Sequence, residues 1–123
     1  MFIISLIQEK LYLNIFEVNP DDYATKIDYA ISLLASEKPR EALPILQSLP
    51  EELKENVQII SLIGSCFVEI DKPDLAIEAL EKGPTRARKM DQDMMVFRYA
   101  LGTAYKKAGL KDKALNTIPE SLR

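Results

Sequence analysis

Residues 60–80 read ISLIGSCFVEIDKPDLAIEAL: an apolar helical pattern, then Asp71-Lys72-Pro73-Asp74, then a second apolar helical pattern. Gly64 sits in the first pattern and Ala76 near the start of the second. Small residues at matched depth let two helix backbones approach closely, so the stretch predicts one antiparallel helix pair. The arrangement recurs. Leu101-Gly102-Thr103-Ala104-Tyr105 is followed by Ala114, and Tyr29-Ala30 by Leu33 and Ala42. Ala42, Ala76 and Ala114 stand 34 and then 38 residues apart. Self-similarity at that period limits the chain to a stacked repeat array, because one pair cannot bury its apolar face alone.

The rest of the chain fits this frame. Residues 3–18 predict a helix with a wide apolar face, with Ile3, Ile7, Leu11 and Ile15 on one row. Asn19-Pro20-Asp21-Asp22 stops it and restarts another, since proline cannot continue a helix and aspartate favours the N-cap. Tyr23–Ala35 predicts the next helix, and Pro39 suits the first turn of the one after, with Pro44 inside it. Asn56 or a neighbour caps a helix through Phe67 and Val68; the turn at Asp71-Lys72-Pro73 leads to the helix of Leu75 to Leu80. Gly83-Pro84 interrupts the chain, and the region from Lys82 to Gln92 is expected to hold the four extra residues of the longer spacing. Asp91 or Asp93 caps a helix from Met94 to Ala108, Gly109 stops it, and a last helix from Lys111 is cut by Pro119.

Composition removes several classes of function. There is no histidine, the commonest general base and metal ligand. Cys66 is the single cysteine, so no internal disulfide forms, and the expected setting is cytoplasmic. A net charge of -3 gives no basic face for nucleic acid. Gln8, Glu9, Lys10, Asn14 and Glu17 break the apolar start, so no membrane span is expected, and it lacks the basic lead of a signal peptide. Cys66 reads as a buried small hydrophobe rather than a nucleophile. Glu51, Glu52 and Glu55 read as a solvated helix start, and Lys82, Arg86, Arg88 and Lys89 as a solvated basic cluster. Met90, Met94 and Met95 read as helix packing. No Gly-rich phosphate loop is present, so neither a cofactor, a metal nor catalysis is expected.

The residues quoted resemble the tetratricopeptide repeat (TPR) family, whose motif is W-x2-L-G-x2-Y, then A-x3-F, then P, over 34 residues. Ile60, Ile63-Gly64, Phe67, Ala76 and Leu80 keep the spacing with apolar replacements at the aromatic positions. Leu101-Gly102, Tyr105, Ala114 and Ile118 keep it too, with Arg98 where a bulky apolar residue is usual. Tyr29-Ala30, Leu33, Ala42 and Leu46 form the most divergent unit, with Lys26 at that first position. The resemblance implies an all-α fold, a right-handed superhelix of about seven helices in antiparallel pairs. It implies one domain over 1–123: a half repeat at 1–20, repeats at 23–56 and 57–94, and a truncated repeat at 95–123.

What the resemblance implies about function is a non-catalytic scaffold that holds a peptide or an amphipathic helix in a groove lined by the first helices of successive repeats. Residue by residue, that groove takes Ile27, Ile31 and Leu34 from the first unit; Gln58, Ser61, Leu62, Ser65 and Glu69 from the second; and Tyr99, Thr103, Lys106 and Lys107 from the third. The groove reads as apolar at one end and basic at the other. Ile27, Ile31, Leu62 and Ala100 stand where some members hold a C-terminal carboxylate, so capture of an acidic chaperone tail is not expected. The partner expected is therefore a protein or peptide. The apolar first helix and the truncated end also suggest a homo-oligomer, or a fragment or assembly module of a larger TPR-containing enzyme or secretion factor.

Overall fold

A computed structural model describes residues 22–86 and 89–118. The helix expected over 3–18 lies outside them. The described residues form seven helices and no strand: α1 Tyr23–Ala35, α2 Pro39–Gln47, α3 Glu51–Lys54, α4 Val57–Glu69, α5 Pro73–Leu80, α6 Gln92–Lys107 and α7 Lys111–Thr117. They divide into two compact units, one ending at Leu49 and one beginning at Pro50. The first holds the pair α1/α2. In the second, α4 packs on α5, α6 packs on both, and α7 packs on α6.

Each first helix of a pair begins at a polar side chain that takes up a free backbone N–H. Asp22 accepts from the N–H of Thr25, Asn56 from that of Gln58, and Asp91 from that of Met94. Each second helix begins with or near a backbone that needs no cap: Pro39 and Pro73 occupy the first position of α2 and α5, where a missing N–H costs nothing. Pro44 is accommodated inside α2, which runs on to Gln47.

Three residues turn the chain inside every pair: 36–38, 70–72 and 108–110. All three turns close in the same way. The N–H of Lys38, Lys72 and Leu110 donates to the carbonyl of Leu33, Phe67 and Tyr105, each at 2.8 Å. One residue earlier, Glu37, Asp71 and Gly109 donate to Leu34, Val68 and Lys106. This is the Schellman closure, which requires a left-handed residue at the second turn position. Glu37, Asp71 and Gly109 supply it at φ 61, 63 and 83°. Only the last is a glycine, so the first two pairs carry a backbone conformation that their side chains disfavour.

The glycines of the first helices are notches. A Cβ on Gly64 would lie 2.5 Å from both Cγ and a Cδ of Leu80, which is fully buried. A Cβ on Gly102 would run into the side chain of Ile118. Leu80 and Ile118 each stand sixteen residues after their glycine, so the same fit is built twice. Ala76 and Ala114 are buried as expected, yet it is the larger residue one turn further on that fills the notch. Gly83 gives the ring of Phe97 its place, with an added Cβ 2.7 Å from the ring edge. The core of the second unit gathers Ile60, Val68, Ala76, Leu80, Met94, Phe97, Ala100, Leu101, Ala104, Tyr105 and Ala114, with Val57, Phe67 and Ile77 packed against it. Complete burial of the Phe97 side chain alone contributes about 1.5–3 kcal/mol.

One boundary differs from expectation. The four extra residues of the 38-residue spacing do not all lie in the connection. Asp22 and Asn56 cap eight residues ahead of Ala30 and Gly64, but Asp91 caps eleven ahead of Gly102. Three of the four residues therefore form an added first turn on α6, which has 16 residues against 13 in α1 and α4. Asp91 wins over Asp93 because capping there lets Met94 enter the core, where it is 6% exposed. Between α5 and α6 the chain is not helical in its described residues, and Lys82, Arg86, Lys89 and Met90 are exposed.

Candidate interaction face

On α4, Gln58, Leu62, Ser65 and Glu69 follow at steps of four, three and four residues, so they form one stripe along the helix. Gln58 and Glu69 are exposed, and Leu62 and Ser65 are half-buried. The opposite side of α4 carries the buried Ile59, Ile63 and Cys66. On α6 the matching stripe, 38 residues on, is Val96, Ala100, Thr103 and Lys107. Val96 is 53% exposed, Thr103 half-buried, Lys107 exposed and Ala100 buried. Because α4 and α6 pack side by side, the second unit presents two adjoining stripes.

The chemistry of this face is graded. Val96, with Leu62, gives it an apolar part. Lys107 and Glu69 stand at equivalent positions near the helix ends, so that end holds both signs of charge rather than basic residues alone. The Thr103 hydroxyl donates to the carbonyl of Tyr99 at 2.8 Å. Its donor is committed, and toward a ligand it presents only acceptor capacity.

The other expected groove residues are placed differently. Ser61 is 3% exposed, with its hydroxyl donating to the carbonyl of Val57 at 2.8 Å. Tyr99 and Lys106 are exposed, on the neighbouring stripe of α6 rather than in line with Thr103. Ile27 and Leu34 are half-buried and Ile31 is 39% exposed, all on α1 of the first unit. Val96 was missed. Its signal was available, since it follows Gln58 by the same 38 residues that separate Ala76 and Ala114.

Several residues singled out for their chemistry have settled structural surroundings. Cys66 is fully buried, and desolvation, with the Glu69 charge second, pushes its thiol up to about 12. Glu51 pairs with Lys54 at 2.8 Å, and that ammonium holds its carboxyl below the usual range. Tyr105 donates its hydroxyl to Glu81 Oε1 at 2.8 Å, tying α6 to the end of α5. Burial first, then the bond to Glu81, pushes the phenol up to about 12. Lys113 Nζ stands 5.7 Å from the centre of the same ring. Met94 lies in the core, Met95 is half-buried and Met90 exposed. Among the described residues there is no group of three or more metal-ligating side chains, and no helix is long and apolar enough to cross a membrane.

Helix pairs with a small residue in the first helix, a buried alanine in the second and a third helix packed across both define a TPR-like all-α repeat fold. The solved structure of MamA, a TPR-containing protein, has this fold: it superposes with a TM-score of 0.68 at 20% identity, over 86% of this chain and 60% of the MamA chain. No family model matches the sequence, and no curated protein matches it. At that identity the likeness establishes the fold.

Proposed function

We propose that the chain is a non-catalytic scaffold that binds a protein segment along α4 and α6. The observation that carries this reading is the pair of adjoining stripes. Gln58, Leu62, Ser65 and Glu69 lie beside Val96, Thr103 and Lys107, part apolar and part charged, on helices whose other faces are locked in the core. Such a surface suits an extended peptide or an amphipathic helix: Leu62 and Val96 give affinity, while Glu69 and Lys107 set direction. The TPR-like fold supports the same reading, because rigid stacked helices present side chains without moving.

The test is a screen of a displayed peptide library against the purified chain, followed by titration of the selected peptide. Leu62→Asp and Val96→Asp are expected to weaken its binding about tenfold or more, while Arg86→Ala leaves it unchanged. The reverse ranking would assign binding to the exposed connection between α5 and α6.

A further inference from the structure

A second face of the same unit stands out once the two repeats are compared position by position. Beside the groove stripe, α4 carries Val57, Ser61, Gly64 and Val68. There this stripe is covered. Val57 packs against the core that includes Met94, Phe97 and Leu101 of α6, Val68 belongs to that core at 8% exposure, and Ser61 is 3% exposed. Ile77 on α5 packs against the same core. The equivalents on the last pair are Met95, Tyr99, Gly102 and Lys106 on α6, with Leu115 on α7. They are not covered in the same way: Tyr99 is 56% exposed, Leu115 54%, and Lys106 is exposed.

We propose that Tyr99, Lys106 and Leu115 form a docking face for one amphipathic helix of a partner polypeptide, seated as α6 is seated on α4 and α5. The argument is continuity of an existing interface. The same backbone positions, in the same helix-pair geometry, already hold a helix one repeat earlier. The differences between the two faces define the occupant. Tyrosine replaces Ser61 and gives a large amphipathic anchor of the kind that dominates helix docking. Leu115 keeps the apolar contact of Ile77. Lysine replaces Val68, so an apolar occupant at that end would strand an ammonium, and a carboxylate there satisfies it. A second copy offers no such helix among the described residues. Besides Val96 in the groove, the other exposed large apolar side chains are Ile31, Leu75, Met90 and Leu110. They lie on α1, α5 and two connections and form no helical stripe.

The reading does not depend on the groove, and the experiment separates them. A fluorescein-labelled peptide of residues 91–108, carrying Lys106→Glu and Lys107→Glu, reproduces the helix that docks one repeat earlier and adds the carboxylates. It is titrated by anisotropy into the full chain and its variants, with circular dichroism confirming that each variant is folded. Saturable binding is expected. Tyr99→Ala and Leu115→Ala should each weaken it about tenfold. Lys106→Glu should reverse the preference toward the peptide with its native lysines, and Leu62→Asp in the groove should leave binding unchanged. No saturable binding, indifference to Tyr99 and Leu115, or equal sensitivity to Leu62 would overturn the proposal. So would a concentration-dependent dimer, seen by light scattering, that Tyr99→Ala abolishes, since the face would then belong to a second copy.

Discussion

Glu37 and Asp71 hold the left-handed turn position that Gly109 fills in the last pair. Their φ values cost about 1 kcal/mol relative to glycine, less for aspartate, whose short side chain tolerates that region better. Glu37→Gly should therefore raise stability by up to about 1 kcal/mol and Asp71→Gly by less, while Gly109→Ala lowers it, as read from urea unfolding midpoints. Tyr105 gives a pH signature. Its folded value, about 12, lies above the ordinary 10.0, so the fold favours the protonated phenol. That contribution is fully present below pH 10 and is lost as pH rises from 10 through 12. Tyr105→Phe should cost about 0.5–1.5 kcal/mol at neutral pH and flatten the alkaline decline over that window. Cys66 should stay unmodified by a thiol reagent at pH 8 and react only on unfolding, because burial and the Glu69 charge both oppose the thiolate.

Among the elements, the contact between a first helix and its return helix is a notch and a filler. Gly64→Ala forces the branched end of Leu80 aside in a fully buried site and should cost about 1–3 kcal/mol. Leu80→Ala alone should cost about 2–5 kcal/mol by leaving a cavity. Combined, the two should cost less than their sum, because the added methyl enters the space that the leucine vacates; a double-mutant cycle in urea measures the difference. Much at this scale was legible in the sequence. Asp22, Asn56, Pro39 and Pro73 act through their own backbone chemistry, and local chemistry can be read locally. The added turn of α6 was not legible, since Asp91 and Asp93 cap equally well and the choice falls to where Met94 packs. Nor were the burial of Ser61 and the exposure of Tyr99, because equivalent positions on two repeats differ only in what lies over them.

At the scale of the whole molecule, the TPR-like repeat fold follows from the spacing of a few small residues, whereas the partner does not, since repeats specify presentation rather than chemistry. The exposed connection between α5 and α6 carries Lys82, Arg86 and Lys89 outside any helix. Limited trypsin digestion should cut there before any site within α4 or α6, and mass spectrometry of the first fragments checks this.

The three-residue turns and the longer connections divide the chain into two kinds of joint. A turn such as 70–72 lies between a glycine notch and the leucine that fills it, so its length sets whether Leu80 meets Gly64 at all. One inserted residue there would rotate and shift the return helix out of mesh. The connection of residues 81–91 lies outside that mesh. Set against the stretch before α4, it and the start of α6 together absorb the longer spacing, and the pairing on either side is kept. For anyone building on this chain, a tag or a whole domain belongs in that connection, and the short turns should be left at their present length.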